Sequence, residues 1–173
     1  MYDPDQLAHI REHMDDSKTT GSYFERGYFS NAKEVVEYAA GELRKEGYDG
    51  TKTVIERDLP ETIGRDALIR LDKLPEDVNI ETEKKGRLNY PVKVVRGIKK
   101  RPTRHMVIIV GPLEDTGRHG FYTIFPGTYA PNFPATEEQL KDMGYEGDAL
   151  NKAREQNHQY REFWENHALI GDE

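Results

Sequence analysis

The sequence predicts an α+β domain in which N-terminal helices pack on a small antiparallel sheet, with a C-terminal helix closing the chain. Three observations predict it. Apolar residues recur at helical spacing before Gly47 and again after Thr136. The stretch between them breaks into short β-branched runs punctuated by Pro60, Pro75 and Pro91. Those runs follow one another without intervening helices, which favours antiparallel pairing over a wound parallel sheet. The expected organisation is one domain over residues 1–173, with a helical part to residue 47, a sheet from 51 to 129 and C-terminal helices over 136–167.

Each element has its own signal. Asp3-Pro4-Asp5 offers helix-start chemistry, and Leu7, Ile10 and Met14 then recur on one face to about Asp15. Residues 15–22 read as a loop, and Tyr23 to Phe29 as a short aromatic segment. Ser30 or Asn31 can cap the next helix, whose Val35, Val36, Ala39, Ala40 and Leu43 share a side before Gly47 stops it. Thr51–Arg57, Ala67–Leu71, Val78–Thr82 and Val92–Val95 read as short strands. His105–Val110 and Phe121–Phe125 form the clearest pair, an antiparallel hairpin with a long loop at the centre of the sheet. Thr136 opens a short helix to Met143. A longer one, from Asp148 to His167, turns Leu150, Ala153, Tyr160, Phe163 and Trp164 inward.

Composition narrows the function. The chain has no cysteine, which removes disulfides, thiolate nucleophiles and most zinc sites. The first residues lack a basic segment followed by an apolar run, and no apolar stretch approaches the length of a membrane span. The expectation is a cytoplasmic chain, with delivery by a specialised apparatus leaving no mark on the sequence, and with no membrane partner. A net charge of −7 argues against nucleic acid, yet the nine Lys and Arg between Lys84 and His105 are interrupted by no acid. Within that stripe Lys99, Lys100, Arg101, Arg104 and His105 are candidate RNA contacts; an ordinary solvated strand pair is the bland alternative.

Two histidines at i and i+4, His9 and His13, share a helix face with Glu12 between them, matching the H-x-x-E-H pattern of some zinc proteases. A helix so close to the chain start suits two surface histidines better than a metal centre, so no metal and no cofactor are expected. Histidine also serves as a proton carrier near neutral pH. Metal-free RNA cleavage needs a base for the ribose 2′-hydroxyl, donors for the phosphorus oxygens and an acid for the leaving 5′-oxygen. His13 or His9, Arg26 or the basic stripe, and Thr123 with Tyr122 offer such a set.

A histidine-bearing first helix, then Arg26-Gly-Tyr-Phe29-Ser-Asn-Ala32 entering a helix, then Gly120-Phe-Tyr-Thr123-Ile-Phe125-Pro126-Gly127 far downstream, resembles bacterial RNase toxin domains. These are the RNase A-like contact-dependent inhibition toxins and the wider barnase, EndoU, colicin and RelE-like nuclease group. The resemblance covers residues 6–46 and 104–129. It implies a metal-independent endoribonuclease that yields a 2′,3′-cyclic phosphate, with His13 as base, Arg26 as phosphate-stabilising cation and Thr123 as donor. It further implies RNA as substrate and a cognate inhibitor or immunity protein as partner. Phe125 stands where those toxins carry a tyrosine, so the second donor is missing at that position. The rival readings are a non-catalytic accessory module of a phage or mobile element that grips nucleic acid or protein, and an inhibitor working through its acidic ends.

Overall fold

The computed structural model describes Met14, residues 21–113 and residues 117–171. The α+β expectation is not met. The described residues carry ten strands in three sheets and three α-helices, and the N-terminal part is a strand and a helix, without a helical layer on a small sheet. The chain divides into two compact units, each made of two separate stretches.

The first unit runs to Ala67 and resumes over Lys100–Tyr129. Its helix α1 (Ala32–Lys45) starts at Asn31, whose side chain accepts the Glu34 amide at 3.0 Å. Ala32, Val35, Val36 and Ala39 are fully buried on one face, as the apolar spacing predicts. That face packs with Ile55, Met106, Ile108, Val110, Phe121 and Ile124 into the unit's core. The last six come from a three-stranded antiparallel sheet, β2 (Thr53–Asp58), β8 (His105–Pro112) and β9 (His119–Pro126), with β8 in the middle. Alternation then sends Val54, Glu56, Asp58, His105, Val107, Ile109, Thr123 and Phe125 to the opposite face. Between Ile109 and Val110 the register shifts, and Tyr122 is the extra residue of the bulge.

A second sheet in this unit joins segments that are remote in sequence: β1 (Tyr23–Phe24), β3 (Gly64–Asp66) and β7 (Arg101–Thr103), with β3 central. Gly64 makes it possible. A Cβ there would lie 2.2 Å from the Tyr23 carbonyl oxygen and 3.0 Å from both Phe24 Cα and Pro126 Cγ. Beside it Asp66 is buried and accepts from the Ser22 hydroxyl (3.3 Å), the Thr128 amide (3.0 Å) and the Thr128 hydroxyl (2.8 Å). These bonds satisfy a carboxylate that burial would otherwise penalise.

The other buried acid, Glu42 of α1, accepts from Lys45 Nζ and from Arg57 Nε, each at 3.0 Å; Arg57 also pairs with Glu46. The Lys45 bond first, and the Arg57 bond next, hold the Glu42 carboxyl below its ordinary range. Its contribution to stability is therefore present above the unfolded value of 4.5 and is lost as pH falls through the lower, folded value. Glu42→Gln is expected to flatten the acid limb of the stability curve, seen as urea midpoints that shift less between neutral and acid pH than those of the wild type. Equal acid sensitivity in the two proteins would remove Glu42 from this role.

The second unit is Leu68–Lys99 together with the chain from Ala130 onward. Its four-stranded sheet has the order β4 (Leu68–Arg70), β10 (His167–Ile170), β6 (Tyr90–Arg96), β5 (Asn79–Lys85). β10 runs antiparallel to β4 and parallel to β6. Ile69, Val95, Ala168 and Ile170 bury one cluster, and Leu68, Val92 and Trp164 another. Helix α2 (Glu137–Asp142) opens with a capping box between Thr136 and Gln139, and a single residue, Asn166, separates the end of α3 (Gly147–Glu165) from β10. Of the helix face expected to be buried, Trp164 is buried, its Nε1 donating to the carbonyls of Pro131 and Asn132. No helix among the described residues is long and apolar enough to cross a membrane.

Candidate functional site

The outer face of the β2–β8–β9 sheet gathers Glu56, Asp58, His105 and Thr123. Glu56 and Asp58 lie two apart on β2, so both carboxylates point the same way. The register sets Asp58 directly opposite His105 on β8, and Glu56 opposite Val107 next along. The imidazole therefore sits between two carboxylates. Its Nδ1 is 2.8 Å from Asp58 Oδ1, and its Nε2 is 3.0 Å from Glu56 Oε1. Burial, the largest single influence, lowers the imidazole pKa; the hydrogen bonds and charges of Glu56 and Asp58 together outweigh it and leave it raised. Asp58 is held low, chiefly by its bond to His105, with the charges of His105 and Arg104 adding to the effect.

The geometry explains the direction. An imidazolium has two N–H donors and can satisfy both carboxylates at once, whereas the neutral ring has one donor and one lone pair. Loss of the proton turns one short attractive contact into a lone pair facing an anion. The site thus favours the protonated ring, which is about one-third exposed.

The other expected residues fall at several places. Thr123 is half-buried in β9 opposite Ile109, on the same sheet face as His105. From Ile109 to His105 is four residues of β8, roughly 14 Å at strand spacing, so the two side chains do not serve one phosphorus atom. The bulge turns Tyr122 outward, and its hydroxyl donates to the Pro112 carbonyl at 2.5 Å. Arg26 is exposed just after β1, where it forms an isolated bridge with Phe29, and its side chain makes no hydrogen bond or ion pair among the described residues. His9 and His13, and with them the H-x-x-E-H pattern, lie outside the described residues.

The basic stripe divides. Lys100 is half-buried, its Nζ donating to the Gly21 carbonyl at 2.9 Å and lying 5.3 Å from the Tyr23 ring centroid, which gives it a structural task. Arg101 begins β7 and Arg104 precedes β8; both are exposed, and neither forms a hydrogen bond or ion pair among the described residues. Arg104 lies near enough to Asp58 to act on its charge. Lys99 is exposed and belongs to the second unit. Sequence reasoning placed His105 among the RNA contacts and missed Glu56 and Asp58. Their signal was the i, i+2 spacing of two acids in a strand, which always puts both on one face.

No protein-family model matches the sequence, and no curated protein does. Among solved structures the chain is similar to a conserved hypothetical protein from Toxoplasma gondii ME49, at 10% identity over 87% of this chain and 89% of that one, with a TM-score of 0.49. A likeness this distant bears on neither substrate nor activity.

Proposed function

We propose that the first unit is a metal-independent ribonuclease whose proton-transfer centre is His105 with Glu56 and Asp58. The observation that carries this reading is the imidazole bracketed by two carboxylates at the end of the sheet's outer face, with Arg104 at its edge. Asp58 fixes the ring through Nδ1, the orienting role that a carboxylate plays behind a working histidine. Nε2 faces Glu56, a half-exposed side chain that an entering ligand displaces. Displaced Glu56 takes the proton of the ribose 2′-hydroxyl. The 2′-oxygen attacks phosphorus, the bond from phosphorus to the 5′-oxygen breaks, and His105 gives that oxygen its proton. The product ends are a 2′,3′-cyclic phosphate and a free 5′-hydroxyl. Arg104 and Arg101 supply the cations that phosphate needs beside two acids.

The resemblance to RNase toxins points to the same chemistry by a different histidine, and one assay separates the two. Total RNA is incubated in chelator with the wild type and with His105→Ala, Glu56→Gln and His13→Ala, and the product ends are mapped. Cleavage by the wild type and by His13→Ala, with loss in the other two, supports the centre described above. Loss in His13→Ala alone moves the centre to the N-terminal segment. RNA left intact by folded wild-type protein overturns the ribonuclease reading. Salt-dependent RNA retention without product then favours the binding module.

A further inference from the structure

The second unit contains a cleft of about 680 Å3, within the size range of small-molecule sites. Its floor is built by tethers. The Asn157 side chain clasps the Ala135 backbone, accepting from its amide at 2.6 Å and donating to its carbonyl at 2.8 Å. Gln139 Nε2 holds the Leu88 carbonyl at 3.1 Å. Arg154 of α3 pairs with Glu137 of α2 and fixes the two helices together. Gly86, in the β5–β6 turn, lies so close to Phe133 that a Cβ would sit 2.8 Å from the ring. The cleft is therefore set by defined contacts between four segments.

Three properties of its lining point to one kind of ligand. First, Arg87 is the sole charged residue of the lining, which holds no carboxylate although the chain carries a net charge of −7. Arg87 is exposed, and its side chain has no hydrogen bond or ion pair among the described residues. Second, Tyr145 and Tyr160 line the cleft and pack on no other ring among the described residues, and Tyr145 is 41% exposed. Third, Gln156 and Asn132 also line it, and their side-chain amides have no hydrogen-bond partner among the described residues. A guanidinium suits a phosphate, aromatic faces suit a base, and an amide, with donor and acceptor side by side, suits a base edge.

We propose that this cleft binds a nucleoside monophosphate, with the phosphate on Arg87, the base between Tyr145 and Tyr160, and the base edge on Gln156 or Asn132. The inference stands apart from the ribonuclease reading, whose proton-transfer residues all lie in the first unit.

The full chain is titrated by calorimetry with AMP, GMP, CMP and UMP, with adenosine and with inorganic phosphate, as the wild type, Arg87→Gln and Ala153→Phe. At least one monophosphate is expected to bind about tenfold or more tightly than adenosine or phosphate alone. Arg87→Gln should lose about tenfold, the worth of a hydrogen bond to a charged group, and Ala153→Phe, which fills the cleft, should abolish binding. Proton NMR of the wild type with the preferred nucleotide should shift the ring signals of Tyr145 and Tyr160, and this readout needs no variant to fold. No binding of any monophosphate, undiminished binding by Arg87→Gln, or unmoved Tyr145 and Tyr160 signals would each overturn the proposal.

Discussion

Replacing His105 by alanine is expected to lower RNA cleavage by about 10²- to 10⁴-fold, the span that a positioned proton donor contributes. The fold should survive, because the ring lies on the outer sheet face and the core beneath it is made by Met106 and Ile108 on the same strand. The pH dependence gives a sharper test than the loss itself. An acid must carry its proton to work, so the rate should fall as pH rises through the raised, folded pKa of His105, above the ordinary 6.5. Asp58→Asn removes a charge that holds the proton and should move that alkaline limb toward lower pH. A limb that stays where it is in this variant would sink the assignment even if total activity dropped. The stability linkage has the same sign. The contact's contribution is complete below the unfolded value near 6.5 and is lost as pH rises through the folded one.

The second large effect is on stability. Gly64→Ala is expected to cost about 3 kcal/mol, which for a chain of this size lowers the melting temperature by about 10 °C. The new methyl would meet the Tyr23 carbonyl oxygen at 2.2 Å and the Phe24 Cα at 3.0 Å, and both are backbone atoms of the paired strand β1. A side chain could turn away; a strand held by its ladder can only separate. Gly41→Ala is the matched control. Gly41 lies inside α1, where a Cβ would meet only the Arg44 guanidinium at 3.9 Å, so alanine should raise stability by about 0.5–1 kcal/mol. Differential scanning calorimetry of the two variants checks both signs. A Gly64→Ala melt within a degree or two of the wild type would show that β1 is not held where the structure has it.

The elements most legible in the sequence were those whose signals are local. Asn31 capping α1, the Thr136–Gln139 box of α2 and the alternation of His105–Val110 each act within a few residues, and each element lies where its signal puts it. The strands that overturned the expected fold class have two to four residues and take their partners from far away. Tyr23 pairs with Arg65, Arg65 with Pro102, and Leu169 with Val94. A pair of residues has no period to read, and Pro102 within a strand argues against one until the sheet around it is seen. The expected helix runs to His167 and leaves Ala168–Ile170 unassigned, because a run of so few residues shows no period of its own. What separates α3 from β10 is Asn166, whose backbone leaves helical geometry at φ −103, ψ 0. The candidate site divided the same way. His105 stood out in the sequence, while Glu56 and Asp58 became visible only when the register placed them against it.

The place of β10 has a consequence for how the chain is made. It lies between β4 and β6 in its sheet, yet it is the latest in chain order of the described strands. During translation β4 emerges roughly a hundred residues ahead of the strand it must pair with, and until then it and β6 each present an open edge with Ile69 and Val95 uncovered. A ribosome that stalls before Ile170 would release a nascent chain missing an interior member of that sheet. Such a chain is a natural client for a chaperone, and its first unit, finished by Tyr129, would already have acquired all of its described strands.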